Sequence, residues 1–406
     1  MATPQTPYDA VLHAARDVTR LDTALDAEML GAALLGSVYA VAEIDREGAV
    51  REFVAGFLAA TARRRTAAAK TIRSVFATLV PEAEGAAKVR PGTQAPAWSE
   101  QLGRVRLTGT WCYGDVYGDQ TSYLATFAYD DDTDGGPEHA LVALIDHNIG
   151  IAKDVFVGGP AGRIVDQVRE MVDGDELTWF REEDPARMHG EVRRHLAVTD
   201  DLSELPAEGS LATDRALAGA RLALLPPPAR PTRDAAPLSG DERTALVRAF
   251  LASPEAARFD LDPSDDAGLA SLHFCLSLLL DHAASFPDAD ALRWSPTVAE
   301  LFLLDWVHRR AVLDMDDAAM LPRVLRGWAA YAARRRALPG AAAAQTDTAI
   351  EEMIPEFARL YSTGERRSPA TAAVAQLMAD GVDPDDPVAL DAWIEANRHR
   401  LADDGA

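Results

Sequence analysis

A chain of 406 residues has room for two or three domains, each large enough to bury its own core. With 48% hydrophobic and 26% charged residues it has the composition of a globular protein, and 64 acidic against 40 basic side chains leave a net charge of −24. That field removes the usual electrostatic footprint of a nucleic-acid binder and predicts no binding to generic duplex DNA. Cys112 and Cys275 stand far apart with no CxxC partner, which argues against a disulfide framework and a thiolate metal site and points to the cytoplasm. Residues 1–10 lack the basic and apolar regions of a signal peptide, and no run approaches the ~20 apolar residues of a membrane span, so no membrane association is expected.

Read in order, the chain opens with helical spacing. Val11, Leu12, Val18 and Leu21, then Met29, Leu30, Leu34, Leu35 and Val38, then Phe53, Phe57, Leu58, Ile72, Val75, Phe76 and Leu79 recur at intervals of three and four. Residues 1–95 are therefore expected to form an N-terminal helical region, closed by a breaker-rich stretch with Gly85, Pro91, Gly92 and Pro96. Residues 96–225 are expected to form an α+β module. A short helical turn near Trp98 leads into a first strand, residues 121–129 and 139–147 form an antiparallel hairpin, and 151–157 adds a further strand. Helical patterns follow through Ile164, Val165 and Val168, then through Met188, Val192 and Leu196, and finally in ALAGARLALL, residues 216–225. Residues 226–238, with consecutive prolines at 226–228, read as a stiff spacer. Beyond it, 239–406 is expected to be a helical bundle, opened by a capping box at Ser239 and Glu242 and punctuated by Ser253-Pro254 and Ser295-Pro296, where a hydroxyl cap precedes proline at the first helical position. The fold class is thus mainly α with a small α+β middle domain whose sheet is antiparallel or mixed.

Residues 111–157 are the expected place for a site, because apolar strands there end in polar residues. HALVALIDH, residues 139–147, is apolar on both faces until Asp146 and His147, as a covered central strand would be. The candidate catalytic residues are Asp146, His147 and Asp154, and the candidate metal ligands are Asp115, Asp119 and Asp146, since carboxylates with one imidazole suit a hard cation or a general acid-base pair. Each also has a plain structural use. Asp beside Gly in GDVYGD bonds nearby amides in turns, and Lys153 could neutralise Asp154. The acidic loop Asp130–Gly136 follows half of an EF-hand pattern, but position twelve is Leu141 and strands flank it, so a solvated hairpin tip is the better reading.

WCYGDVYGDQTSYLATFAYD, EHALVALIDHNIGIAKDVFV, WSPTVAELFLLDWVHRRAVL and LPRVLRGWAAYAARRRALP resemble segments of a family of uncharacterised actinobacterial proteins. The resemblance implies an intracellular bacterial protein and no particular activity. With no nucleotide-binding or nucleophile motif in the chain, the leading expectation is a non-enzymatic binding or scaffolding protein that recognises another protein and needs no cofactor. The alternative is a metal-assisted hydrolase-like enzyme using the strand-end carboxylates.

Overall fold

Four α-helices precede the first strand among the residues that the computed structural model describes, which are 6–90, 92, 95–230, 235–262, 268–383 and 386–403, with side chains through 398. Pro91, and residues 231–234 of the expected spacer, lie outside the described residues. The helices are α1 (Pro7–Ala14), α2 (Ala24–Val41), α3 (Arg46–Thr61) and α4 (Ala67–Leu79). Thr23, Asp45 and Thr66 start the last three by accepting a backbone N–H from the residue three further on: Asp26 at 3.2 Å, Gly48 at 3.0 Å and Ala69 at 3.3 Å. Helix α2 is long and apolar enough to cross a membrane by length and composition, but half of it is buried inside the protein and Glu28 is buried within it. The sequence reading missed this length because Asp26 and Glu28 interrupt the apolar run. A buried, ion-paired Glu marks it as a core helix.

The sheet follows, with strands β1 (Val105–Asp115), β2 (Gln120–Tyr129), β3 (His139–Asp146), β4 (Ile151–Gly158) and β5 (Thr178–Glu182), ordered β4-β3-β2-β1-β5 and antiparallel throughout. Strand β5 was not expected from the sequence, in which Trp179 and Phe180 precede the helical pattern through Met188. It is only five residues long, none of them buried, so it lacks the alternation that marks a strand, and its pairing with β1 defines it. Helix α5 (Asp132–Gly135) is a single turn at the acidic hairpin tip, where Asp131 accepts the Thr133 N–H at 2.9 Å. Helices α6 (Ala161–Val172), α7 (Pro185–Asp200) and α8 (Leu211–Leu222) cover the sheet, α6 on one face against Leu124, Ala140 and Val142, and α7 and α8 on the other. Strand β3 is thus apolar on both faces because both are covered.

The chain divides into two compact units, one of Met1–Asp115 with Gln120–Arg233 and one of Val116–Asp119 with Asp234–Ala406. In the first, residues 1–95 and 96–225 share a single core. Leu35, Phe57, Ile72 and Phe76 from the helices belong to the same buried cluster as Phe127, Leu141, Ile145 and Val155 from the sheet and Leu196 and Leu217 from α7 and α8. The apolar face of α2 has nowhere else to be buried. The division between the units falls inside the Pro-rich segment.

The second unit is helical: α9 (Gly240–Leu251), α10 (Pro254–Arg258), α11 (Leu269–Ala283), α12 (Pro296–Glu300), a π-helical turn at Leu301–Trp306, α13 (Val307–Arg310), α14 (Met315–Arg335), α15 (Gly340–Thr363), α16 (Pro369–Ala379) and α17 (Pro387–Asp403). Ser239 and Glu242 make the expected capping box, and Ser253 and Ser295 cap helices that begin with proline. Its core centres on Trp328, Phe250, Tyr331 and Phe302.

Candidate functional site

Two of the predicted carboxylates end β1 and β3, the strands on either side of β2, and meet at Gln120, the first residue of β2. Asp115 accepts the Gln120 backbone N–H at 2.7 Å, and Asp146 accepts the Gln120 side-chain amide at 3.2 Å. The other oxygen of Asp146 takes the Asn148 N–H at 3.0 Å, closing the turn after β3. His147 lies past the strand end, with Nε2 3.0 Å from Thr121 Oγ1 and its ring edge-on to buried His195. Asp154 is turned elsewhere. The register of β4 slips at Lys153, which is left exposed, and Asp154 receives the Ser210 and Val155 N–H groups, both at 2.8 Å. Asp119 belongs to the second unit, where it is 3.4 Å from Arg293.

Three of the four candidate aspartates therefore hold backbone amides. Among the described residues no group of three or more His, Cys, Asp or Glu side chains could hold a metal ion. Asp146 is 8% exposed, so losing its two bonds leaves polar groups unsatisfied. Asp146→Asn is expected to lower the unfolding free energy by roughly 1–3 kcal/mol, with EDTA changing neither protein's thermal melt. A melt that EDTA lowers in the wild type alone would place a metal at this carboxylate.

A different part of the first unit is concave. Helices α2, α3, α7 and α8 and the end of α4 enclose a cleft of about 480 Å³. Its apolar wall includes Leu35, Val50, Leu79, Leu196, Ala216 and Ala220. Helices α2 and α8 approach so closely at Gly36 that a Cβ there would stand 2.5 Å from the Ala212 carbonyl oxygen. The polar groups at the back are locked. Asp200, at the end of α7, accepts the Tyr39 hydroxyl at 2.6 Å and both arms of Arg215, at 3.1 and 2.6 Å. Burial lowers the tendency of Arg215 to hold its proton, but the Asp200 hydrogen bond overrides it and the cation is strengthened. Burial and the Asp200 carboxylate keep the Tyr39 hydroxyl protonated. Arg46 of α3, itself buried, donates to the carbonyls of Asp200, Leu202 and Ser203, placing a cation where the α7 dipole is negative.

Behind the cleft lies a second, fully buried polar network. Arg221 of α8 forms an ion pair with Glu28 of α2, donates to the Tyr129 hydroxyl at 2.9 Å and donates through Nε to His139 Nε2 at 2.8 Å. Glu28 also accepts the Tyr129 hydroxyl at 2.8 Å and the Gly103 N–H at 2.7 Å. Because its Nε2 accepts from a guanidinium, His139 is neutral, and burial with the Arg221 charge pushes it down to about 4.

The mouth of the cleft differs. Arg51 of α3 and Arg193 of α7 are exposed there, and neither side chain has a hydrogen-bond or ion-pair partner among the described residues. Sequence reasoning took Leu35, Leu79 and Leu196 only as apolar helix positions and read none of the cleft residues as part of a site. The available signal was the isolated charge in an apolar helical pattern, as with Glu28 in AEMLGAALL and Arg221 in ALAGARLALL. A groove of about 900 Å³ in the second unit, between α9 and α11, is more open and lined chiefly by Val247, Leu251, Leu280 and the Arg243–Asp281 pair. Comparison with protein-family models, with curated proteins and with solved structures gives no match.

Proposed function

We propose that this is a non-enzymatic binding protein of the cytoplasm whose recognition element is the cleft of the first unit. The observation that carries this reading is the cleft itself: a concavity of small-molecule size, mostly apolar, with a few polar groups fixed by their own hydrogen bonds. The helical composition favoured a protein partner, and the cleft moves the proposal to a small molecule. Carboxylates committed to turns and ion pairs supply no general base or metal cage, so no observation favours hydrolysis. Two buried, free cysteines, their thiols pushed up to about 11 at Cys112 and about 12 at Cys275 mainly by burial, fit a reducing compartment.

The test is a fluorescence titration with 1-anilinonaphthalene-8-sulfonate, which brightens when it leaves water. Wild type is expected to bind it saturably with one site. Ala197→Trp, an exposed position on the cleft wall, should fill the opening and weaken binding at least about tenfold, the effect of roughly 1.4 kcal/mol of lost contact. Equal binding by a folded Ala197→Trp protein would remove the cleft as the recognition element.

A further inference from the structure

We infer that the cleft takes an amphipathic organic anion, an apolar body carrying one carboxylate or phosphate head, with the head held between Arg51 and Arg193. The inference rests on the cleft being the binding element and names what that element selects. An apolar wall of Leu35, Val50, Leu79 and Leu196 suits an apolar body. The polar groups deep in the cleft have no capacity left for a ligand's charge, since Asp200 accepts three hydrogen bonds, Tyr39 spends its proton on Asp200, and Arg215 is held in a two-pronged grip. Glu47 faces Arg215 at 3.7 Å. Two guanidinium groups, Arg51 and Arg193, stand at the mouth with no partner among the described residues, while Glu47 shares with Asp200 the single charge of Arg215 and Glu82 is the other carboxylate in the lining.

A guanidinium is weakly hydrated and presents a planar fork of donors that matches a carboxylate or phosphate in two parallel bonds. Two such groups on different helices, α3 and α7, can close on one head from two sides while the body lies against the wall. Because both arginines are exposed and unpartnered, they contribute little to the fold. Replacing them changes the ligand and leaves the core alone.

Calorimetric titration of the full chain with decanoate, decanol and decyltrimethylammonium, each below its aggregation concentration, tests this. The expected result is that decanoate binds at least about tenfold tighter than the alcohol and the cation, consistent with two charge-assisted contacts. The Arg51→Gln/Arg193→Gln double variant, with an unchanged melting curve, should lose that preference and bind decanoate and decanol alike, while Ala197→Trp should bind none of the three. Equal affinity for decanoate and decanol in the wild type, or a preference that survives the double variant, would overturn the anion assignment and leave the cleft reading in place. Binding that survives Ala197→Trp would overturn both.

Discussion

Arg221→Met is expected to lower the unfolding free energy by roughly 3–5 kcal/mol, the cost of breaking a buried ion pair from one side. The substitution would leave Glu28, which has no solvent exposure, without its counter-charge, and would strip a donor from both Tyr129 and His139. Glu28→Met should cost a similar amount, because it orphans the Gly103 N–H and the Tyr129 hydroxyl as well as the arginine. Replacing both charges together should cost clearly less than the sum of the two single changes, since no uncompensated charge then remains inside. Urea denaturation of the four proteins gives the numbers. A loss below about 1 kcal/mol in either single variant would mean that water reaches the pair, contrary to the burial described here.

The second large effect is a loss of stability in acid. His139 in the first unit and His282 in the second are each held down to about 4, chiefly by burial, with the Arg221 and Arg293 charges adding to it. His282 sits among Phe286, Trp294, Phe302 and Trp306, ring centroids 4.9 to 5.8 Å away. Neither of its nitrogens has a hydrogen-bond partner among the described residues, and the backbone of Val298, which favours the cation, stays outside hydrogen-bonding geometry. An unfolded histidine binds its proton near pH 6.5. Between pH 6.5 and about 4 the unfolded chain therefore holds more protons than the folded one. Stability present above 6.5 is lost as the pH falls through that window, by roughly 3 kcal/mol for each ring. His282→Phe, which keeps an aromatic ring in the same box, should remove its share of the loss while costing little at pH 7. Urea midpoints at pH 7 and pH 4.5 for wild type and His282→Phe decide this, and an identical acid loss in both would show that His282 already titrates in the folded state.

The fold was legible where local chemistry dictates it. Ser239 with Glu242, Ser253-Pro254 and Ser295-Pro296 start helices because their hydroxyls satisfy free N–H groups, and that chemistry needs no tertiary context. Strand β3 was readable for a similar reason, since an unbroken apolar run that ends in Asp146 and His147 requires cover on both sides. Strand β5 was not, because its partner β1 lies more than sixty positions earlier and local pattern carries no record of pairing. The carboxylates showed the same limit. Sequence could place Asp115 and Asp146 at strand ends, but not show that Gln120 lies between them or that Asp154 turns to Ser210. The cleft was the least visible feature. Tyr39, Arg51, Arg193, Asp200 and Arg215 come from four helices spread over more than 170 positions, and no two form a recognisable spacing.

Hydrogen exchange of the full chain, with and without saturating 1-anilinonaphthalene-8-sulfonate, tests the binding cleft most directly because it locates the ligand. Slower exchange is expected in the segments that line the cleft, residues 35–39 of α2, 193–200 of α7 and 212–222 of α8, with the second unit unchanged. Protection confined to the α9–α11 groove, or no protection in these three segments at full occupancy, would contradict it.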